Sequence, residues 1–123
     1  MANPNIVNVA TINGNTNMQT LTGVTGTIVN NASGSNKIYK INSLYISNID
    51  GSAGADITVT VFPQDDLGGT GLQLASTIAV AADSTLVIIT KDTALYLLED
   101  RSISAHSASS GDLNVFCSWD EIS

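Results

Sequence analysis

The feature that most constrains the fold is residues 74–122, where short apolar runs alternate with polar or glycine-containing breaks. None of these runs is long enough for a typical helix, and short apolar runs bounded by turn residues are typical of antiparallel strands. The stretch therefore predicts a meander of antiparallel strands. Together with the two residues before it, this stretch predicts strands at residues 72–80, 86–89, 95–98, 102–105 and 113–119.

The first half of the chain adds further strands. Residues 6–12 alternate as a strand does, and the Asn13-Gly14 pair that follows is a strong hairpin-turn signal. Residues 37–49 form the longest β segment, and their alternation changes phase at Asn42-Ser43, which indicates a β-bulge or a crossing between two sheets. Residues 56–62 alternate strictly, with Thr58 and Thr60 expected to face outward.

Together these segments predict about nine or ten short strands and no substantial helix. The near-continuous apolar run of residues 86–89 indicates a strand that is buried on both sides or central in its sheet. A chain of 123 residues is the size of one domain. We therefore expect a single all-β domain over residues 1–123, an antiparallel β-sandwich that is jelly-roll-like or immunoglobulin-like. Residues 1–5 are expected to form a flexible or partner-bound N-terminal arm.

Charge is unevenly distributed along the chain. Residues 1–49 contain no Asp or Glu and two lysines, whereas residues 50–123 contain all eleven acids and only two basic residues. A net charge of −7 without clustered Lys and Arg does not suit nucleic-acid binding, and it disfavours anionic membranes. Only 12% of the residues are charged. Such a neutral surface suits packing against protein subunits, and it equally suits an ordinary soluble β domain.

Candidate catalytic groups are few. His106 is the only histidine and Cys117 the only cysteine, and a serine or cysteine nucleophile requires a base beside it. Cys117 lies on an alternating apolar segment, which predicts a buried structural thiol, and a single cysteine excludes an internal disulfide. The acidic pairs at residues 65–66 and 99–100 are adjacent in sequence, so on strands they would point to opposite faces. We expect no catalytic residues and no enzymatic activity.

Two binding sites stay open as alternatives to a purely structural role. Asp50 and Asp56 bring two carboxylates and flexible backbone carbonyls into one loop, which calcium favours, although a polar hairpin loop has the same composition. Tyr45 and Trp119 are candidates for stacking on a sugar, although core or subunit-interface packing is the commoner role of such aromatic residues. No other metal or cofactor is expected.

Several segments resemble small virion proteins of tailed bacteriophages, most closely those of marine cyanobacterial phages. The resemblance lies in residues 74–88, 91–103 and 113–122, and extends to residues 6–15 and 37–44, so it covers most of the chain. It implies a β-sandwich structural component of the particle, such as a head decoration (cement) protein, with the neck, tail and fibres as other locations in the group. It implies no active site.

The residues and the resemblance together predict a non-enzymatic virion protein that decorates the capsid and bridges its subunits. The acid-free N-terminal region is expected to provide the contact, with Asn3, Asn5, Ile6 and Asn8 at the interface. Capsid or other virion proteins would be the partners, and the chain would form a homo-oligomer, a trimer being one candidate. No signal peptide is evident, which predicts synthesis in the host cytoplasm and a place in the virion. The alternative is a carbohydrate- or receptor-binding module of the tail or fibres, assisted by calcium.

Overall fold

The computed structural model describes residues 4–123, which form nine β-strands and two 3-10 helices, Asp65–Leu67 and Lys91–Thr93. The predicted all-β fold class is confirmed. No helix in the described part of the chain has the length and hydropathy to cross a bilayer. The strands are β1 (Ile12–Thr20), β2 (Gly26–Asn31), β3 (Ile38–Asn48), β4 (Ala55–Phe62), β5 (Leu72–Val80), β6 (Thr85–Ile89), β7 (Leu95–Leu97), β8 (Arg101–Ser107) and β9 (Leu113–Ile122).

Two antiparallel sheets pack against each other as a sandwich. The first sheet has the strand order β1-β9-β3-β6, with the short β7 also paired to β3, and the second has the order β2-β8-β4-β5. β1 and β2 therefore lie in opposite sheets, as do β8 and β9. This order is that of a jelly roll, and it excludes the immunoglobulin-like alternative, in which the first two strands share a sheet.

The meander predicted for residues 74–122 is wrong. β5 and β8 belong to the second sheet, β6, β7 and β9 belong to the first, and no two of these five strands pair with each other. β9 instead lies between β1 and β3, which are remote from it in sequence. Alternation along a strand reports which side chains are buried, but it carries no information about which strand is the neighbour.

The strand predicted at residues 6–12 and the hairpin predicted at Asn13-Gly14 are also wrong. Residues 4–11 form no strand, and β1 begins at Ile12 and runs through both turn residues. Neither turn residue has a positive φ, which both central residues of a type I′ turn require. The C-terminal part of β9 pairs with this segment instead, with Asp120 opposite Gly14. A ladder along all nine residues of β1 outweighs the local turn preference.

The bulge predicted at Asn42-Ser43 is confirmed. The register between β3 and β9 shifts between Ile41 and Ser43. Because of this shift, Ile41 before the bulge and Leu44 after it both face the core and are fully buried, although they differ in phase.

The core lies between the sheets, and its periphery departs from the sequence-based expectation at two places. Thr58, expected to face outward, is buried, and its hydroxyl accepts the Thr77 N–H of the neighbouring β5 at 3.1 Å. Both alternatives predicted for residues 86–89 are wrong: β6 is an edge strand and not a central one, and it is not buried on both sides, since Val87 is 53% exposed. The fully buried side chains include Ile41, Leu44, Ile46, Ile57, Val59, Ile103, Val115 and Cys117.

Candidate interaction surfaces

The outer face of the first sheet carries one line of apolar side chains across β1, β9, β3 and β6. Met18 lies opposite Phe116. Tyr45 lies opposite Phe116 on one side and Val87 on the other. The Tyr45 and Phe116 rings stack, with centroids 5.3 Å apart and 16° between the ring planes. Met18 is 71% and Val87 53% exposed, while Tyr45 is exposed and Phe116 half-buried. We call these four residues the apolar row.

Two uncharged polar rows flank the apolar row, because the next side chains on the same face lie two positions away along each strand. On one side, the Thr20 hydroxyl donates to the Asn114 side-chain oxygen at 2.8 Å. On the other side, the Thr16 and Ser118 hydroxyls are hydrogen-bonded at 2.9 Å. One row consists of Thr20, Asn114, Ser47 and Thr85, and the other of Thr16, Ser118 and Ser43.

This face has the composition of a protein interface. Exposed apolar side chains that form a continuous patch mark interaction sites. The centres of protein interfaces are enriched in aromatic residues and methionine and depleted of charge. The apolar row and its flanks contain two aromatic rings, one methionine and no charged residue.

Sequence reasoning missed Met18, Phe116 and Val87 as candidate contact residues. The signal that could have found Phe116 and Val87 is their phase, since Phe116 lies between buried residues of β9 and Val87 between half-buried residues of β6. Their alignment into one row depends on the register of four strands that are distant in sequence, so it is visible only in the folded chain.

The two aromatic residues predicted for sugar stacking lie on opposite faces of the first sheet. Tyr45 belongs to the outer face, whereas Trp119 is 7% exposed and stacks on Tyr39 in the core, with centroids 6.1 Å apart. Burial, and then the charge of Glu121, raise the pKa of the Tyr39 phenol. Trp119 is therefore a core residue, and of the two predicted residues Tyr45 alone faces outward.

Glu121 organises a polar cluster beside Trp119. Its carboxylate accepts hydrogen bonds from the Asn15 amide at 2.8 Å, the Trp119 indole at 3.3 Å and the Lys37 ammonium at 3.3 Å. Burial by itself would raise the pKa of Glu121, but these three donors together hold it below its usual value. The cluster joins β1 and β9 to Lys37, the residue before β3, so its role is structural.

Two strands from the acid-free first part of the chain, β1 and β2, form one side of the sandwich. β1 is an edge of the first sheet and β2 an edge of the second. Two side-chain amides of β1 cross to backbone carbonyls of β2. Asn17 donates to the Ile28 carbonyl at 2.8 Å, and Gln19 donates to the Thr27 carbonyl at 3.4 Å. Both strands lie within residues 1–49, so neither contributes a carboxylate to this side.

Three of the four residues predicted at a partner interface lie just before β1. Asn5, Ile6 and Asn8 are exposed, and Asn3 lies outside the described residues. The Asn5 side-chain oxygen accepts the Val7 N–H at 2.9 Å, and the Asn8 N–H donates to the Asn5 carbonyl at 3.1 Å. These bonds form a local turn whose side chains are accessible. The interface itself stays a prediction.

The candidate calcium ligands Asp50 and Asp56 lie near the start of β4. The Asp50 carboxylate accepts hydrogen bonds from the backbone N–H and the hydroxyl of Ser52, both at 2.9 Å. These bonds, the backbone one more strongly, lower the pKa of Asp50. Asp56 is exposed on β4. Among residues 4–123, no three His, Cys, Asp or Glu side chains converge into a group that could hold a metal ion. Calcium binding at this loop stays a prediction.

The two acidic pairs hold loops in place. The Asp65 carboxylate accepts the Ser33 N–H at 2.8 Å, and the Glu99 carboxylate accepts the Asn36 N–H at 2.7 Å. The Asp100 carboxylate accepts the Asp65 N–H at 3.1 Å. Each of these three carboxylates therefore binds the backbone of another segment, as structural carboxylates do.

His106 and Cys117 lie in different sheets. His106 belongs to β8 of the second sheet, whereas Cys117 belongs to β9 of the first and is fully buried. Burial raises the pKa of the Cys117 thiol to about 12. A reactive cysteine requires a lowered pKa and a base beside it, so these two residues do not form a nucleophile–base pair.

The sequence matches no family model and no curated protein. The fold nevertheless occurs among solved structures. One comes from Bacillus endospore appendages described as disulfide-linked pili, with a TM-score of 0.55 and 16% identity over 92% of this chain and 87% of that one. Another comes from infectious bursal disease virus, Gx strain, with a TM-score of 0.46 and 12% identity over 93% of this chain and 33% of that one. At 16% identity, the first likeness shows a shared fold.

Proposed function

We propose that the chain is a non-enzymatic structural protein of a virion, which decorates and stabilises the capsid of a tailed bacteriophage by bridging its subunits. The observation that carries this proposal is the apolar row with its two uncharged flanks. Met18 and Tyr45 of the row belong to the acid-free residues 1–49, and Phe116 and Val87 add two uncharged positions from the acidic part of the chain.

Such a face would stabilise a complex through contact with another uncharged protein surface. Burial of Tyr45, Phe116 and their neighbours removes apolar area from water, and the hydroxyl and amide groups of the flanking rows supply hydrogen bonds around it. A protein that bridges neighbouring subunits binds the assembled lattice and not the separated subunits. It therefore stabilises the lattice by mass action.

The fold and the engaged acidic groups support the same proposal. The solved structure with this fold comes from endospore appendages described as disulfide-linked pili, and a structural role of that kind needs contact surfaces rather than a reactive centre. The resemblance to phage virion proteins supports the finer assignment to a phage particle. Virion localisation, synthesis in the host cytoplasm and a homo-oligomeric state belong to the proposal. Cys117 is buried, so these contacts would be non-covalent.

Substitutions in the apolar row test the proposal. We expect Tyr45→Glu and Val87→Glu each to weaken binding to particles assembled without the chain by about tenfold or more, because a carboxylate would lose its water at the contact. Leu72→Glu is the matched control, since Leu72 is a 76% exposed apolar residue of the second sheet. Sedimentation with particles measures binding. Unchanged binding of both row variants, or an equal loss in the control, would refute the proposed face.

The N-terminal residues Asn3, Asn5, Ile6 and Asn8 are a second contact in this proposal. Removal of residues 1–5 should lower the occupancy of particles and leave thermal unfolding nearly unchanged, because the described strands begin at Ile12. Full occupancy with the truncated chain would remove this segment from the proposed interface.

Carbohydrate or receptor binding at the tail or fibres is the second candidate function, and the exposed Tyr45–Phe116 stack favours it. An aromatic pair bordered by hydroxyl and amide groups can stack on a sugar and hydrogen-bond its hydroxyls. A glycan array would then show binding that Tyr45→Ser abolishes. Loss of that binding on chelation would support calcium at Asp50 and Asp56, whereas a melting temperature independent of calcium would argue against it.

A further inference from the structure

β1 is an edge strand without the usual protection against pairing. It pairs with β9 alone, and the pairing runs over nine residues without a bulge. Natural edge strands are protected by charged side chains, prolines, bulges or a short length. β1 has the sequence INGNTNMQT, with no charge and no proline, and its residues are exposed or half-buried.

Half of the β1 backbone groups point away from β9. Thr11 and Ser123 exchange two backbone hydrogen bonds at 3.0 Å, and the Leu21 N–H donates to the Leu113 carbonyl at 2.8 Å. Residue pairs alternate between bonded and non-bonded along an antiparallel ladder, so the odd-numbered residues of β1 bond to β9. The Thr16 N–H points outward and donates to the side-chain oxygen of Asn15 at 2.8 Å. The residues whose backbone groups point outward are Ile12, Gly14, Thr16, Met18 and Thr20.

The segment of residues 4–9, which precedes this edge, contains β-prone residues but forms a local turn rather than a strand. Its sequence is PNIVNV, with three β-branched apolar residues. Ile6 is 48% and Val7 91% exposed. A β-prone segment with exposed apolar side chains is suited to pairing with another strand.

This segment cannot fold back onto the β1 edge of its own chain. An antiparallel hairpin requires at least two loop residues, and the residues between the segment and β1 are Ala10 and Thr11. Both of their N–H groups donate to the Ser123 carbonyl, at 2.7 and 3.0 Å. These bonds hold Ala10 and Thr11 in line with β1, so the segment leaves its own sheet edge rather than reversing along it.

We propose that residues 4–9 of one copy add as a β-strand to the free edge of β1 in a second copy. Fully extended, this segment spans about 20 Å, enough to lie along most of a nine-residue strand. Each copy has one segment to donate and one edge to accept. A reciprocal exchange would close a dimer, and a one-way exchange would produce a ring or a filament. This inference deepens the homo-oligomeric part of the proposed function and rests on that part alone, because the partner is a second copy of the chain and not the capsid lattice.

Two full-length variants with matched controls test the proposal. Gly14→Pro removes an outward N–H from the edge, whereas Gly14→Ala keeps it, and a Cβ at Gly14 would meet no atom within 4 Å. Val7→Pro combined with Asn8→Pro removes two neighbouring N–H groups from the segment, whereas Val7→Thr with Asn8→Ser keeps them. Size-exclusion chromatography with light scattering measures association. Each proline variant should raise the concentration for half-association by about tenfold or more, and the controls should resemble the wild type.

A mixture of the two proline variants distinguishes variants that have lost strand pairing from variants that have lost the fold. One variant keeps an intact segment and the other an intact edge, so a mixture should form a one-to-one complex that does not grow further. Hydrogen exchange should show new protection at Gly14 and Met18 on association, with Asn13 and Asn17 protected in both states. Three results would each overturn the proposal: a wild type that stays monomeric up to about 1 mM, proline variants that associate as the wild type does, or folded variants that do not associate when mixed.

Discussion

The pH dependence of stability at alkaline pH should report the burial of Cys117. Its thiol lies at the centre of β9, opposite Leu44 of β3 and Asn17 of β1. Burial raises the pKa of this thiol from 9.0 to about 12. The folded chain therefore keeps the thiol proton over a pH range in which the unfolded chain loses it, and unfolding releases a proton there.

The sign and size of the effect follow from this linkage. The stability contributed by the buried thiol is fully present below pH 9 and is lost as the pH rises toward 12. One pKa unit corresponds to 1.36 kcal/mol, so the loss reaches at most about 4 kcal/mol over that range. Replacement by alanine removes the titrating group and leaves a small cavity, which costs about 1–2 kcal/mol independently of pH.

The wild type and Cys117→Ala should therefore exchange order of stability. Wild type is expected to be the more stable at pH 7, and the two curves should cross at about pH 9.6–10.5, where the thiol contribution has fallen by about 1–2 kcal/mol. Tyr39, whose pKa is also raised, contributes equally to both proteins. Urea unfolding followed by the fluorescence of Trp119, the single tryptophan, measures both curves. A stability difference that stays constant from pH 7 to 11 would refute the reasoning.

Three further substitutions have defined expectations in thermal or urea unfolding. Gly71→Ala should destabilise the fold by about 1–3 kcal/mol, because its Cβ would lie 2.8 Å from the Phe62 ring, whereas Gly14→Ala, in open space, should be nearly neutral. Glu121→Gln should flatten the acid side of the stability curve. Its lowered pKa supplies stability above pH 4.5 that is lost as the pH falls through the folded-state value, so an equal acid loss in both proteins would contradict this role. Leu44→Ala should cost about 2–5 kcal/mol, and a cost under 1 kcal/mol would show that the core collapses around the site.

The parts of the fold that the sequence predicted are local. The β3 bulge could be predicted because the alternation of apolar and polar residues changes phase at Asn42-Ser43 within one strand. The burial of the Cys117 thiol could be predicted for the same reason, since its neighbours at every second position are apolar. Where local signals competed with long-range pairing, they failed. The Asn13-Gly14 pair lies inside a strand because β9 supplies a continuous partner for it.

The candidate surfaces were predictable only in part. The acid-free region and the exposed Asn5, Ile6 and Asn8 follow from composition and position in the chain. The sugar-stacking pair could not be predicted correctly, because Tyr45 and Trp119 lie on opposite faces of the first sheet. Which side chains of a strand face the core is set when the sheets pack together. The apolar row required Phe116 to be placed beside both Met18 and Tyr45, which no single segment of the sequence specifies.

The sequence by itself determined the class of the protein: short alternating segments that bury one face, with little charge. These properties follow from the period of a strand and from the transfer of apolar side chains out of water, both of which act within a few residues. The tertiary structure alone decided that residues 74–122 are divided between two sheets. It also decided that β6 is an edge strand and that four distant side chains form one row. Backbone ladders between remote segments set strand order and register, and their partners are chosen by the packing of the whole sandwich.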